Sequence, residues 1–146
     1  PHEVGPTVRR LVTRVRERYP DVEFRVDCPD ALWAMTVPQV DTALENLLDN
    51  AARYNTGPDP CVEATVTAAD GAVRVVIADN GPGIDRAELD AIQAGEETQL
   101  EHSSGFGLWL AYWVVDSSGG DIEFETGDGT TVTLVFDRAD APRTVL

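Results

Sequence analysis

Two asparagines spaced four residues apart are the first side chains in this sequence whose pattern suggests chemistry. Asn46 and Asn50 lie between Pro38 and Tyr54, in a segment whose apolar residues recur at the spacing of one buried helix face: Val40, Ala43, Leu44, Leu47, Leu48 and Ala51. Asn46, Asn50, Arg53 and Tyr54 form a second stripe beside that face. Asparagine favours caps and turns over helix interiors. The aligned amides therefore predict either a solvated face or oxygen ligands for a hard cation such as Mg²⁺, with Arg53 beside them for phosphate.

A glycine-rich turn follows the strand predicted for Val73–Ala78. Its sequence is Asp79-Asn80-Gly81-Pro82-Gly83-Ile84. Two glycines around a proline let the backbone turn tightly against a ligand. A carboxylate at the end of the strand can accept a hydrogen bond from an exocyclic amine such as that of adenine. An ordinary turn is the alternative interpretation.

A third segment leads two glycines into an apolar helix predicted for Phe106–Ser117. It reads Ser104-Gly105-Phe106-Gly107-Leu108-Trp109 and follows a polar stretch, Glu96–Ser104, that we expect to form a mobile lid. Free amides at a helix N-terminus are a natural phosphate site. The segment lacks the third glycine of the dinucleotide-binding fingerprint and the Gly-Lys-Ser/Thr of a P-loop.

The order of these three segments resembles a known family. It is similar to the histidine-kinase branch of the ATPase superfamily that also contains gyrase-type topoisomerases, mismatch-repair ATPases and heat-shock chaperone ATPases. Residues 46–54 resemble its N box, 79–84 its G1 box and 105–108 its G2 box. Gly129-Thr130-Thr131 resembles the start of its last strand. The resemblance covers nearly the whole chain.

The resemblance implies a role for each matching residue. Asn46 and Asn50 would be the catalytic pair, Asn50 coordinating Mg²⁺ and Asn46 supporting the triphosphate. Arg53 would contact phosphate, Tyr54 would pack near adenine, and Asp79 would read its amino group. The other implied ATP-binding residues shape the pocket or line the phosphates: Gly81, Gly83, Ile84, Gly105, Phe106, Gly107, Leu108 and Thr130, with Thr131 competing for the last role.

The implied activity is that of a protein-histidine kinase. The chain would bind Mg·ATP and transfer the γ-phosphate to a histidine on a separate dimerisation domain of the parent protein, which then serves a response regulator in two-component signal transduction. ATP-hydrolysing relatives carry a water-activating glutamate where this chain has Asn46. We find neither a histidine-bearing helical hairpin nor, within Asp85–Ser104, the usual aromatic F box. We therefore expect this chain alone to be inactive without its acceptor domain. A non-catalytic ATP-sensing module and an anti-sigma-factor-type serine/threonine kinase are the alternatives.

The charge of the chain limits its partners. There are 26 acidic and 11 basic residues, giving a net charge of −15, and every basic residue is arginine. Such a surface repels nucleic acid and anionic lipid, so we expect no nucleic-acid partner and no direct membrane contact. The absence of lysine favours adaptation to high salt, as in halophilic archaea, over an ordinary solvated surface. Cys28 and Cys61 match no disulfide or metal pattern. We expect a cytoplasmic location, free or as part of a membrane-bound sensor.

The periodicity predicts one α+β domain over residues 1–146. Helices are predicted for Val8–Arg18, Pro38–Tyr54 and Phe106–Ser117, with a short helix within Ile84–Gly95. The last long helix should bury Trp109 and Trp113. Strands are predicted for Val22–Asp27 and Leu32–Val37 and for two hairpins, Val62–Thr67 with Val73–Ala78 and Ile122–Glu125 with Thr131–Phe136. This order predicts a mixed, mostly antiparallel sheet covered on one face by three helices. Such a two-layer α/β sandwich is the Bergerat-type ATP-binding fold that the resemblance implies.

Overall fold

The helices and strands are described by a computed structural model that covers residues 2–29, 32–53, 55, 57–81, 103–127 and 129–139. Within these residues the helices are α1 (Val4–Arg18), α2 (Val40–Arg53) and α3 (Ser103–Ser117). The strands are β1 (His2–Glu3), β2 (Glu23–Asp27), β3 (Trp33–Ala34), β4 (Cys61–Ala69), β5 (Ala72–Asp79), β6 (Asp121–Gly127) and β7 (Gly129–Ala139).

The strands form a mixed sheet. Its order is β1-β3-β7-β5-β4-β2, and β6 also pairs with β7. The β2–β4 pair is parallel and the other pairs are antiparallel. The turn between β4 and β5 holds Asp70 at φ 53° and Gly71 at φ 77°, which is the left-handed conformation that an Asp-Gly hairpin turn requires. The predicted mixed, mostly antiparallel sheet is therefore confirmed.

The core lies between this sheet and the three helices. Alternate side chains of the long strands are buried, including Val62, Ala64 and Val66 of β4; Val73, Val75 and Ile77 of β5; and Val132, Leu134 and Phe136 of β7. The apolar face of α2 packs into the same cluster. Full burial of one such side chain contributes about 1.5–3 kcal/mol. The predicted cover of helices on one face of the sheet is therefore confirmed.

The observed ends of the helices and strands differ from the predicted ones near prolines and where a strand pairs over only two residues. Helix α1 begins at Val4, four residues before the predicted start, and Pro6 lies in its first turn, where no backbone N–H is needed. Helix α2 begins at Val40, because Pro38 and Gln39 form a turn before it. Strand β3 contains only two of the six residues predicted for it.

The apolar helix α3 does not bury both of its tryptophans. Trp113 is 39% exposed, so its predicted place in the core is wrong, and Trp109 is only partly buried. Along α3, Ala111, Val114 and Val115 are fully buried instead. No helix among the residues described here is both long and apolar enough to cross a membrane. The short helix predicted within Ile84–Gly95 lies outside the described residues.

An ion-pair ladder joins α1 to α2. Its pairs are Arg10–Asp41 at 3.0 Å, Arg14–Glu45 at 3.4 Å, Arg18–Glu45 at 2.8 Å and Arg18–Asp49 at 3.4 Å. The arginines and the carboxylates both recur every four residues and advance in the same direction, so the two helices run parallel. Exposed pairs of this kind contribute about 0–1 kcal/mol each.

The ladder matters more for the orientation of α2 than for its stability. It holds the carboxylate stripe of α2, which includes Glu45 and Asp49, against α1. Successive helical residues are about 100° apart around the axis. Asn46 and Asn50 follow these two carboxylates by one residue each, so their stripe is turned away from α1.

Candidate nucleotide site

Helix α2 presents the residues of the predicted N box beside its buried face. It packs against α1, α3 and β5, which places Asn46 and Asn50 at the border of the core, both partly buried. Arg53 lies at the C-terminal end of α2, and its Nη2 is 3.2 Å from Asp49 Oδ2. The described part of α2 thus puts two amides and one guanidinium along one side of the helix.

Asp49 anchors this end of α2, although the sequence pattern singles out only its neighbours. Besides Arg53, its carboxylate accepts a hydrogen bond from the Tyr19 hydroxyl at 2.9 Å and from Arg18 at 3.4 Å. Its side chain is only 14% exposed. The Asp49–Arg53 spacing of four residues is visible in the sequence, but the two partners from α1 are not. Asp49 therefore links the guanidinium of the predicted phosphate-binding arginine to the neighbouring helix.

Asp79 ends β5 with its carboxyl held by the backbone. Its Oδ1 accepts the backbone N–H of Gly81 at 2.9 Å, and the backbone N–H of Thr130 also hydrogen-bonds the carboxyl. Burial raises the pKa of Asp79 above its ordinary 3.8, and the two N–H groups oppose that shift only in part. Because side chains alternate along a strand, Asp79 lies on the same face as the buried Ile77. A fixed, partly desolvated acceptor thus faces the helices.

Two glycines fit closely around Asp79. A Cβ at Gly81 would lie 3.0 Å from Asp79 Oδ1 and 3.3 Å from Asn55 Cα. A Cβ at Gly129 would overlap the carbonyl oxygen of Asp79, and the φ of Gly129 is 118°, which other residues rarely adopt. Neither position has room for a side chain without moving the residue that ends β5.

The register of β7 with β5 distinguishes Thr130 from Thr131. Thr130 pairs with Asp79 across the sheet and is 8% exposed. Thr131 pairs with Ala78 and so lies one residue away, on the opposite face. Of the two threonines, Thr130 is therefore the one that lies beside the candidate adenine-reading carboxyl.

A pair of asparagines that the sequence pattern does not connect joins α2 to the end of β5. Asn55, just after α2, is 8% exposed, and its Nδ2 donates to Asn80 Oδ1 at 2.7 Å. Asparagine just after a helix is a common signal for its C-terminus, but nothing in the sequence indicates its partner 25 residues later. The contact brings the segment after the predicted N box against the predicted G1 box.

Both glycines of the predicted G2 box lie inside α3, whereas the predicted helix included only Gly107. The helix begins at Ser103, so the predicted start at Phe106 is wrong. Serine is favoured at helix starts because its hydroxyl can satisfy a free amide. The first four amides of a helix lack intrahelical partners, so Gly105 and Phe106 fall in this first turn, whereas Gly107 and Leu108 follow it. Tyr54, Gly83 and Ile84 lie outside the described residues, as does the predicted lid up to residue 102.

One family model matches a region of the sequence that contains all three boxes. Residues 36–140 match the family model described as histidine kinase-, DNA gyrase B- and HSP90-like ATPase. The chain belongs to this ATPase family. Among curated relatives, the sensor protein SrrB of Staphylococcus aureus (strain NCTC 8325 / PS 47) is 29% identical over 115 residues, which cover 73% of this chain and 20% of SrrB. The chain thus spans about a fifth of the length of that relative.

Solved structures of the ATPase family share this fold. The mycobacterial sensor histidine kinase MprB is 26% identical with a TM-score of 0.72, and the match covers 96% of this chain and 99% of MprB. The structure of ShkA in complex with AMPPNP is 22% identical with a TM-score of 0.70, covering 98% of this chain and 32% of ShkA. The two-layer α+β architecture predicted from the sequence is therefore the fold of histidine kinase ATPase domains.

The amide oxygens on α2 suit the magnesium ion that membership of the ATPase family implies. Mg²⁺ prefers oxygen ligands, keeps several waters, and usually takes one or two protein ligands together with substrate phosphates. Asn46 and Asn50 offer neutral amide oxygens from a helix that is fixed by its buried face. A neutral ligand adds no charge to a chain that already carries −15. The negative charge that balances Mg²⁺ would have to come from the phosphate oxygens.

Proposed function

We propose that this chain binds Mg·ATP and presents the γ-phosphate to a histidine on a separate dimerisation domain of its parent protein. The observation that carries this proposal is the backbone-held carboxyl of Asp79, which lies at the strand end between Gly81 and Thr130. Membership of the ATPase family supports it, as does the likeness to ShkA, which was solved in complex with AMPPNP.

Adenine recognition is assigned to the end of β5. The Asp79 carboxyl has one oxygen fixed by the N–H of Gly81 and still has acceptor capacity for the amino group of adenine. Thr130 is buried and pairs with Asp79, and it would share that contact through its hydroxyl or a water. Gly81 and Gly83 would form the floor of the pocket, where a side chain would displace the base, and Tyr54 and Ile84 would pack against its edge.

Phosphate binding is assigned to α2 and to the start of α3. Asn50 would hold Mg²⁺, and Arg53, paired with Asp49, would contact phosphate from the end of the same helix. The bound ion would neutralise phosphate charge. The free amides of the first turn of α3, which includes Gly105, would bind the same phosphates, and Gly107 and Leu108 would follow them along the site.

The arrangement favours phosphoryl transfer over hydrolysis. Phosphoryl transfer depends mainly on positioning and charge neutralisation, which amides and an arginine can supply. Hydrolysis needs a base that activates water, and Asn46 has a neutral amide at the position where ATP-hydrolysing relatives have glutamate. Glu45 is paired with Arg14 and Arg18 on α1. The chain would thus hold ATP until an acceptor histidine arrives.

We also propose the setting in which the chain works. Residues 1–146 form one ATP-binding domain on the cytoplasmic side of a two-component system, and the phosphorylated histidine serves a response regulator. The charge of −15 with no lysine suits a high-salt cytoplasm and leaves nucleic acid and membrane surfaces as unfavourable partners.

The test is label transfer from [γ-³²P]ATP to a purified histidine-bearing helical hairpin from the parent protein. We expect acid-labile, base-stable label on the hairpin in the presence of Mg²⁺ and none in EDTA. Asn50→Asp should abolish transfer, whereas Gln39→Glu, an amide-to-carboxylate change on the exposed surface before α2, should leave it unchanged. Acid-stable label on a serine or threonine, or no ATP binding at all, would overturn the proposal.

A further inference from the structure

The strongest unassigned feature is the junction where the end of α2 meets the end of β5. Three segments meet there: the residues after α2, the loop 57–60, and the residues after Asp79. The backbone N–H of Asn55 donates to Ala52 at 3.3 Å, which continues the hydrogen bonding of α2 by one turn. The side chain of Asn55 is then directed to the other two segments.

The orientation of both amides is fixed by backbone partners. Asn80 Oδ1 accepts the N–H of Cys61 at 2.9 Å, and Asn80 Nδ2 donates to the carbonyl of Asp59 at 2.8 Å. Asn55 Oδ1 accepts the N–H of Gly57 at 3.4 Å. Because these partners identify the oxygen and nitrogen ends of both amides, the Nδ2 of Asn55 must be the donor to Asn80 Oδ1 at 2.7 Å. A carboxylate at position 55 would therefore face a carbonyl oxygen and could not make this bond.

Asn55 also lies directly behind the candidate pocket floor. A Cβ at Gly81 would come within 3.3 Å of Asn55 Cα and 3.4 Å of its Cγ. The same Gly81 donates its N–H to Asp79. Asn55 is thus two residues after Arg53 in sequence and one contact away from Asp79 in space. It therefore connects the phosphate side of the site with the adenine side through contacts of its own side chain and backbone.

We propose that Asn55 is a positioning residue that sets the spacing between the two halves of the nucleotide site. Through Asn80 it holds the strand end that carries Asp79 against the helix end that carries Asn50 and Arg53. This inference rests on the proposed function, because it concerns the geometry in which ATP is held. A ligand that touches both halves depends on this spacing, whereas a ligand that touches only the adenine half does not.

The experiment compares ATP with adenosine, using the purified 146-residue chain in Mg²⁺. Affinities are measured by calorimetry, or by competition where adenosine binds weakly. The variants are Asn55→Asp, which reverses the donor, and Asn55→Ser, which is uncharged and too short to reach Asn80. Gln39→Glu is the control for added charge, since that side chain is exposed before the far end of α2. Thermal unfolding identifies which variants fold, and either Asn55 variant is sufficient.

The ratio of the two affinities decides the outcome. We expect the Asn55 variants to bind ATP about tenfold more weakly, with adenosine affinity changed by less than about twofold. Equal losses for ATP and adenosine would mean that Asn55 is merely structural and would overturn the inference, as would unchanged ATP affinity. Failure of the wild-type chain to bind either ligand would instead overturn the proposed function, and the inference with it.

Discussion

Arg18 and Glu45 lie 2.8 Å apart across the α1–α2 interface, and Arg14 lies 3.4 Å from the same oxygen of that carboxylate. This pairing directs Glu45 toward α1. Asn50 is five helical residues further on, about 140° around the axis. The only acidic side chain next to Asn46 in sequence is therefore committed to the ladder and is not available to activate water at the phosphates.

We predict that the chain binds ATP and releases phosphate at a negligible rate. General-base assistance is worth about 10²–10⁴-fold in rate, and Asn46 cannot provide it. Steady-state phosphate release should stay near background for the wild-type chain and for Glu45→Gln. Rapid turnover that Glu45→Gln abolishes and Asn46→Ala retains would show that Glu45 faces the phosphates, and the chain would then be an ATPase.

Stability should rise with salt concentration. The net charge of −15 destabilises the folded state by self-repulsion. This repulsion weakens as the Debye length falls from about 10 Å at 0.1 M to about 3 Å at 1 M salt. Salt also weakens the ion-pair ladder, but exposed pairs contribute only about 0–1 kcal/mol each. We expect the melting temperature to increase between dilute buffer and molar KCl. A flat or falling melting temperature would remove the argument for adaptation to high salt.

The raised pKa of Asp79 predicts a pH-dependent stability difference between the wild-type chain and Asp79→Asn. The folded protein holds the proton of Asp79 more tightly than the unfolded chain does. This stabilisation is complete below the unfolded pKa and is lost as the pH rises through the higher folded pKa. The asparagine variant has no such proton. Its free energy of unfolding relative to wild type should therefore increase as the pH rises from below 3.8 and then level off.

Chemical denaturation across this pH range measures that difference directly. Asp70→Asn is the matched control, because Asp70 lies exposed in the turn at the other end of β5 and asparagine accepts its φ of 53°. A difference for Asp79→Asn that stays constant or decreases with pH would contradict the raised pKa.

Gly129 should be far less tolerant of alanine than Gly127. A Cβ at Gly129 would overlap the carbonyl of Asp79 and would require a left-handed φ of 118°, whereas Gly127 has nothing within 4 Å. We expect Gly129→Ala to lower the free energy of unfolding by about 1–3 kcal/mol. Gly127→Ala should change it by no more than about 1 kcal/mol. Denaturant unfolding of the two variants checks this, and equal effects would mean that the chain around Asp79 is loosely packed.

Most of the fold could be predicted because its signals are local. The buried stripe of α2, with Leu44 and Leu48, repeats at helical spacing, and the Asp70-Gly71 dipeptide sets the first hairpin. The face of α3 could not be predicted, because seven consecutive residues from 109 to 115 are apolar or aromatic and periodicity then selects no side. The predicted burial of Trp113 is wrong for this reason.

The residue types of the candidate site could be predicted, but not the contacts that hold them. Asp79 is conspicuous because glycines follow it in the sequence. The resemblance implies Thr130 with Thr131 as its competitor, and only the register of β5 with β7 distinguishes the two. Asn55 and Asn80 meet because the end of α2 packs beside the end of β5, and no local pattern encodes that proximity.

The most direct test of a nucleotide site built around Asp79 is the ratio of ATP to GTP affinity, measured by calorimetry in Mg²⁺. Adenine offers an amino group to this carboxyl, whereas guanine presents an acceptor carbonyl at the same position. We expect ATP to bind about ten- to hundredfold more tightly than GTP, which corresponds to about 1.5–3 kcal/mol for a buried hydrogen bond to a charged group. Asp79→Asn should lose most of that preference, and Asp70→Asn should retain it. Equal affinities for ATP and GTP, or normal ATP binding by Asp79→Asn, would contradict the account.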